Sequence, residues 1–151
     1  EESLNAFELL PMKEQNPHDL DLSERKRLAI ASVLAMDTDI VVLDEPTAGL
    51  DPRESEMLVT ALLRLESRGK TVLAISHDMD FVAENMTRAI CLENGCKRFD
   101  GPVATLFTHP SIVHQSGLRL PQVVQLSARL NLQPQALTPE GFVEAFLAKK
   151  A

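Results

Sequence analysis

Tryptophan and tyrosine are absent from the 151 residues, and six phenylalanines are the whole aromatic complement. Platforms on which nucleic-acid bases stack are therefore scarce. Positive charge is short as well: 15 Lys and Arg face 22 Asp and Glu, leaving a net charge of −7. That balance excludes a basic nucleic-acid surface. Two cysteines are too few for a disulfide framework and point to a reducing compartment. No apolar run approaches the ~20 residues of a membrane-spanning helix. The opening Glu1-Glu2-Ser3 is not a secretory leader. The six glycines never cluster, so no G-x-x-x-x-G-K-[ST] phosphate loop stands anywhere in the chain. Gly69-Lys70-Thr71 looks like the tail of one, but Arg64 occupies the place of its first glycine, and a strand follows where the loop requires a helix. No internal repeat or low-complexity stretch is found. A hydrophobic share of 44% suffices for one modest folded domain.

The most informative stretch is Ile40-Val41-Val42-Leu43-Asp44-Glu45-Pro46. Four apolar residues, three of them β-branched, predict a short buried strand. Asp44 and Glu45 follow at once, and Pro46 stops the strand. Carboxylates at the end of a buried strand are costly unless something pairs their charge. A Mg²⁺ ion with a nucleotide phosphate behind it is a natural partner. A second apolar strand is predicted at Thr71 to Ser76, with His77 at its C-terminal end. In a parallel sheet both ends open on one edge, where ligands bind.

Around these strands the periodicity predicts helices at Glu2 to Leu10, Ser23 to Met36, Asp51 to Ser67 and Asp80 to Met86. Asp51 reads as an N-cap with Pro52 at the favoured first position, and Gly69 as the stop. Ser23 reads as a helix N-cap or as a hydroxyl donor to an anion at the helix start; the two are compatible. Asn94-Gly95 predicts a two-residue hairpin turn that pairs Glu93 with Cys96 and Leu92 with Lys97. Cys91 and Cys96 then do not face each other and remain free thiols. His109 and His114 lie five apart, off one helical face, and are not read as metal ligands. Further helices are predicted from Gly101 to Phe107, from Pro121 to Leu130, and from Thr138 to Leu147.

In this order the segments resemble an ABC-type ATPase domain. Ile40 to Pro46 matches its Walker B strand, Thr47-Ala48-Gly49-Leu50-Asp51 its D-loop, and Ile75-Ser76-His77-Asp78 its switch-histidine loop. Arg27-Leu28-Ala29-Ile30-Ala31 lies on its signature helix. The family's signature is Leu-Ser-Gly-Gly-Gln; the ungapped register gives Leu20-Asp21-Leu22-Ser23-Glu24, where only Leu20 matches. The resemblance implies an α/β fold, the C-terminal half of a P-loop NTPase with a mainly parallel sheet flanked by helices. It implies that Asp44 holds the Mg²⁺ of bound ATP and that Glu45 is the general base for the attacking water. His77 contacts the γ-phosphate and that water. Asp51 lies at a dimer interface, and Asp21, Leu22, Ser23 and Glu24 face the nucleotide held by a partner ATPase.

Ala31 to Asp37 and the stretch from Gly117-Leu118-Arg119-Leu120-Pro121-Gln122 through Phe142 are most similar to the ATP-binding subunits of energy-coupling factor importers, which take up vitamins or metal ions. The implied organisation is a partial ATPase domain at 1–108 and a C-terminal helical extension at 109–151. Implied partners are a second ATPase subunit or domain in a head-to-tail dimer, a transmembrane coupling subunit and a substrate-binding membrane subunit, with no nucleic acid. The implied location is peripheral, on the cytoplasmic face of the plasma membrane. Lacking a Walker A loop, this chain alone is expected to be inactive. A segment of a longer protein, the end of a tandem ATPase chain and a degenerate remnant all remain open. So do two other functions: a non-transport ABC ATPase, and a non-catalytic module.

Overall fold

Aspartates start the three helices that follow the chain's key loops. Asp21 accepts a hydrogen bond from the Glu24 N–H, Asp51 from the Glu54 N–H and Asp78 from the Phe81 N–H. Each satisfies one of the unpaired donors of a helix N-terminus. The computed structural model describes residues 1–132 and 135–150, so positions 133, 134 and 151 of the expected 109–151 extension lie outside the described residues. The chain divides into two units, Glu1–Ser76 and His77–Ala151.

The first unit holds helix α1 (Glu2–Ala6), two 3-10 turns (Leu10–Met12 and Pro17–Asp19), helix α2 (Leu22–Leu34), strand β1 (Ile40–Asp44), helix α3 (Pro52–Ser67) and strand β2 (Thr71–Ile75). The strands pair in parallel, from Ile40 opposite Thr71 to Asp44 opposite Ile75. Their C-terminal ends therefore share one edge, as the sequence predicts. Helix α3 packs along β2 and buries Leu58, Ala61, Leu62 and Leu65. Leu58 is fully buried, which stabilises by about 2 kcal/mol.

Two expectations fail here. Strand β1 is not buried on both faces: Val41 and Leu43 are buried, but Ile40 is 63% and Val42 56% exposed. Leu73 and Ile75 of β2 are exposed too. An all-apolar strand signals cover on both faces, and the alternation shows that only one face is covered here. The predicted helix from Glu2 to Leu10 ends at Ala6, because Glu8 turns left-handed at φ 56°. Pro11 then sits inside a 3-10 turn instead of ending a helix.

The second unit holds α4 (Met79–Asn85), β3 (Arg88–Glu93), β4 (Cys96–Pro102), α5 (Val103–Phe107), α6 (Pro110–Gln115), α7 (Gln122–Arg129) and α8 (Pro139–Lys150). The hairpin pairs Glu93 with Cys96 and Leu92 with Lys97, with Asn94 and Gly95 at positive φ as a primed turn requires. Cys91 is buried and Cys96 exposed, both free. A core of Val103, Leu106, Phe107, Val113 and Val124 lies beneath the hairpin and its following helices. The sequence offers Val123, Val124, Leu126 and Leu130 as the apolar positions of α7, and the structure uses them only in part: Val124 is buried, Leu126 and Leu130 are exposed, and Ser127 is buried. Thr138 caps α8 through the Gly141 N–H at 3.1 Å.

Candidate functional site

Strand β1 delivers two adjacent carboxylates to the C-terminal edge of its sheet. Asp44 is the last strand residue and is exposed. Glu45 follows, partly buried, with φ at +45°. That left-handed conformation is uncommon for a residue with a Cβ and costs on the order of 1 kcal/mol. Three hydrogen bonds hold it. The Glu45 N–H donates to the Ile75 carbonyl at 2.8 Å, and the Glu45 carbonyl accepts from the Ala48 N–H at 3.2 Å. The same carbonyl accepts from Lys26 Nζ at 3.0 Å. Lys26 Nζ also donates to the Ala48 carbonyl. Pro46 is buried, and Gly49 takes φ +74° to lead the chain out of the turn.

Asp51 begins α3 in a reciprocal capping box. Its Oδ1 accepts from the Glu54 N–H at 2.8 Å, and Glu54 Oε2 accepts from the Asp51 N–H at 2.9 Å. Glu54 is buried. Its Oε1 accepts the Ser23 hydroxyl and pairs with Arg27 Nε at 3.1 Å. Arg27 also donates to the Phe7 carbonyl at 2.8 Å. A buried charge of this kind persists only when paired and hydrogen-bonded, and Glu54 is both.

The segment Asp21 to Glu24 forms the first turn of α2. Asp21 and Glu24 make a second capping box, with bonds of 2.8 and 2.9 Å. Asp21, not Ser23, is thus the N-cap: it stands one residue ahead of the helix and accepts the Glu24 N–H, whereas Ser23 already lies inside the first turn. The Ser23 hydroxyl has one proton, and Glu54 receives it. Leu22 is exposed. His77 stands two residues beyond β2 and is exposed; Ser76 ends the first unit and His77 opens the second. Asp44, Glu45, Asp51 and the 21–24 segment all belong to the first unit, and Lys26 and Glu54 connect their elements. Sequence reasoning missed Lys26, Arg27 and Glu54. The Asp-x-x-Glu spacing at 21–24 and 51–54 is a readable capping signal; the tertiary bonds of Lys26 and Arg27 leave none.

Among the described residues, no group of three or more His, Cys, Asp or Glu side chains forms a metal cage. A single exposed carboxylate at a strand end suits Mg²⁺, which takes one or two carboxylates and completes its octahedron with water and phosphate oxygens. Asp44 fits that requirement.

No family model matches the chain. Over 126 residues it is 43% identical to the energy-coupling factor transporter ATP-binding protein EcfA of Carboxydothermus hydrogenoformans, covering 83% of this chain and 46% of that one. Among solved structures, CbiO1 of Clostridium perfringens, part of the CbiONQ ABC transporter complex, superposes with a TM-score of 0.61 at 29% identity, over 84% of this chain and 51% of that one. A bacterial ABC transporter cassette solved as a dimer gives a TM-score of 0.61 at 32% identity, over 68% of this chain and 44% of that one. The chain spans about half the length of the EcfA relatives it matches.

Proposed function

The chain belongs to the ABC-type ATPases, and from that membership we propose that it forms part of the ATP-binding subunit of an energy-coupling factor importer. In the complete protein that subunit hydrolyses ATP to ADP and phosphate and drives uptake of a vitamin or metal ion. The observation that carries this reading is the pair Asp44 and Glu45 at the open end of a parallel sheet, with the Glu45 backbone held by three hydrogen bonds.

Mg²⁺, when bound with ATP, supplies charge neutralisation at the phosphates, and Asp44 is the carboxylate that holds it. Glu45 accepts the proton of the attacking water as its oxygen approaches the γ-phosphorus. His77 donates to the γ-phosphate and helps hold that geometry. Asp51 sits at the interface with a second ATPase, whose nucleotide the first turn of α2 faces through Asp21, Leu22, Ser23 and Glu24. A dimer is supported by the dimeric cassette, and a place in a larger assembly by the transporter complex of the CbiO1 relative; to these we add, as part of the proposal, a head-to-tail arrangement, a transmembrane coupling subunit and a substrate-binding membrane subunit. No described helix is long and apolar enough to cross a membrane; the proposed place, on the cytoplasmic face of the plasma membrane, follows from the importer assignment alone. The segment 109–151 is a C-terminal helical extension of the ATPase domain 1–108.

One observation favours a second reading, a non-catalytic partner domain. The capping box occupies N–H groups at the start of α2 that a phosphate would otherwise meet. Calorimetry of ATP binding by the complete protein, with and without Mg²⁺, separates the two. Asp44→Asn abolishes the Mg²⁺-dependent gain in affinity if the site is catalytic; an affinity indifferent to both Mg²⁺ and Asp44 supports the non-catalytic domain.

A further inference from the structure

Glu45 is held in a backbone conformation that its own side chain disfavours. Such a conformer persists only when its surroundings over-determine it. Two of the holding bonds are main-chain, to Ile75 and from Ala48. The third comes from a side chain on another element, the ammonium of Lys26, which spans the carbonyls of Glu45 and Ala48. One ammonium carries three donors, and charge-assisted bonds to two carbonyls close the turn from outside.

Lys26 does not reach this turn by chance of rotamer alone. Ser23, Lys26 and Arg27 stand at spacings of three and four on α2 and so share one helix face. Ser23 and Arg27 both engage Glu54 at the start of α3. That anchor fixes the rotation of α2 about its axis and hence the place from which the lysine stem departs. Lys26 is partly buried, which limits the water competing for its donors.

We propose that Lys26 is a positioning residue for Glu45, aiming the carboxylate by clamping the 45–48 turn, with Glu54 anchoring the helix that carries it. The inference rests on Glu45 being the base. In this role the lysine acts through the backbone carbonyls of Glu45 and Ala48 and sets the direction in which the Glu45 side chain leaves the strand. A displacement of about 1 Å at a reacting group costs on the order of 100-fold in rate, so loss of the clamp acts on kcat.

The test compares Lys26→Met, which keeps an apolar stem and removes the donors, with Lys26→Arg and Glu45→Gln. In this chain, backbone couplings of Glu45 and exchange of the Ala48 N–H report the turn. In the complete protein, kcat and KM for ATP report its consequence. For Lys26→Met the expected result is loss of the left-handed coupling at Glu45 and of Ala48 protection, with α3 amides unchanged. With it comes a fall in kcat of about 10- to 100-fold at constant KM, and partial recovery in Lys26→Arg. An unchanged turn, or uniform loss of protection across the unit, overturns the proposal. So does normal kcat in Lys26→Met while Glu45→Gln collapses turnover, which leaves the base assignment standing. Normal turnover in Glu45→Gln removes both.

Discussion

The buried carboxylate of Glu54 accepts the hydroxyl of Ser23, 31 positions earlier in the chain, and so joins the first turns of α2 and α3. The same carboxylate caps Asp51 and pairs with Arg27. Glu54→Ala leaves a largely buried guanidinium without its counter-charge and is expected to destabilise the first unit by about 3 kcal/mol. Ser23→Ala removes one neutral donor and costs about 1 kcal/mol. Urea midpoints of the two variants, read by circular dichroism, check the ranking; equal midpoints contradict the anchor role.

Asp21 is a cap before it is anything else. Asp21→Ala is expected to lower stability by about 1 kcal/mol, whereas Asp21→Ser, itself a good cap, is near neutral. With the carboxylate turned onto the Glu24 N–H, Asp21→Ser leaves ATP-driven dimerisation of the complete protein unchanged. A rise in dimerisation on that substitution would place the charge against the phosphate instead.

The hairpin carries an acid-sensitive cluster. Asp100 accepts from Lys97 at 2.9 Å and from Arg88 at 2.7 Å. Their hydrogen bonds, Lys97 first, hold its carboxyl below the ordinary value of 3.8. A carboxylate whose folded pKa is depressed adds stability above its unfolded pKa and loses it as pH falls through the folded one. The contribution of Asp100 is therefore complete at neutral pH and fades below about pH 4. Protection factors of the β3 and β4 amides, each referred to the intrinsic exchange rate at that pH and followed from pH 6 down to about pH 3, are expected to fall in the parent chain and much less in Asp100→Asn.

Much of this arrangement is legible in the sequence because it is local. Apolar runs ending in Asp44-Glu45 and Ser76-His77 place both strand ends; Asp51-Pro52 marks a helix start; Asn94-Gly95 sets the two pairs next to the turn, Glu93 with Cys96 and Leu92 with Lys97, beyond which a bulge shifts Cys91 onto Phe99. What escapes is non-local. Nothing in the periodicity of α2 says that Lys26 meets carbonyls 19 and 22 residues away. The exposure of Ile40 and Val42 escapes for a related reason: an apolar strand states what it can bury, not which layers are at hand. The short α6 went unread although Pro110 marks its first turn, since six residues give too little periodicity to register.

Glu45 decides the whole reading. This chain alone, without a phosphate loop, is expected to show no turnover. In the complete protein, Glu45→Gln is expected to leave ATP binding nearly intact and to lower turnover by about 100-fold or more, the scale for losing a positioned base. His77→Ala is expected to behave alike. Steady-state phosphate release by the complete protein and its Glu45→Gln variant, at saturating ATP and Mg²⁺, is the most direct measurement. A collapse of release with binding retained is the predicted result, and release within a few-fold of the parent contradicts Glu45 as the base.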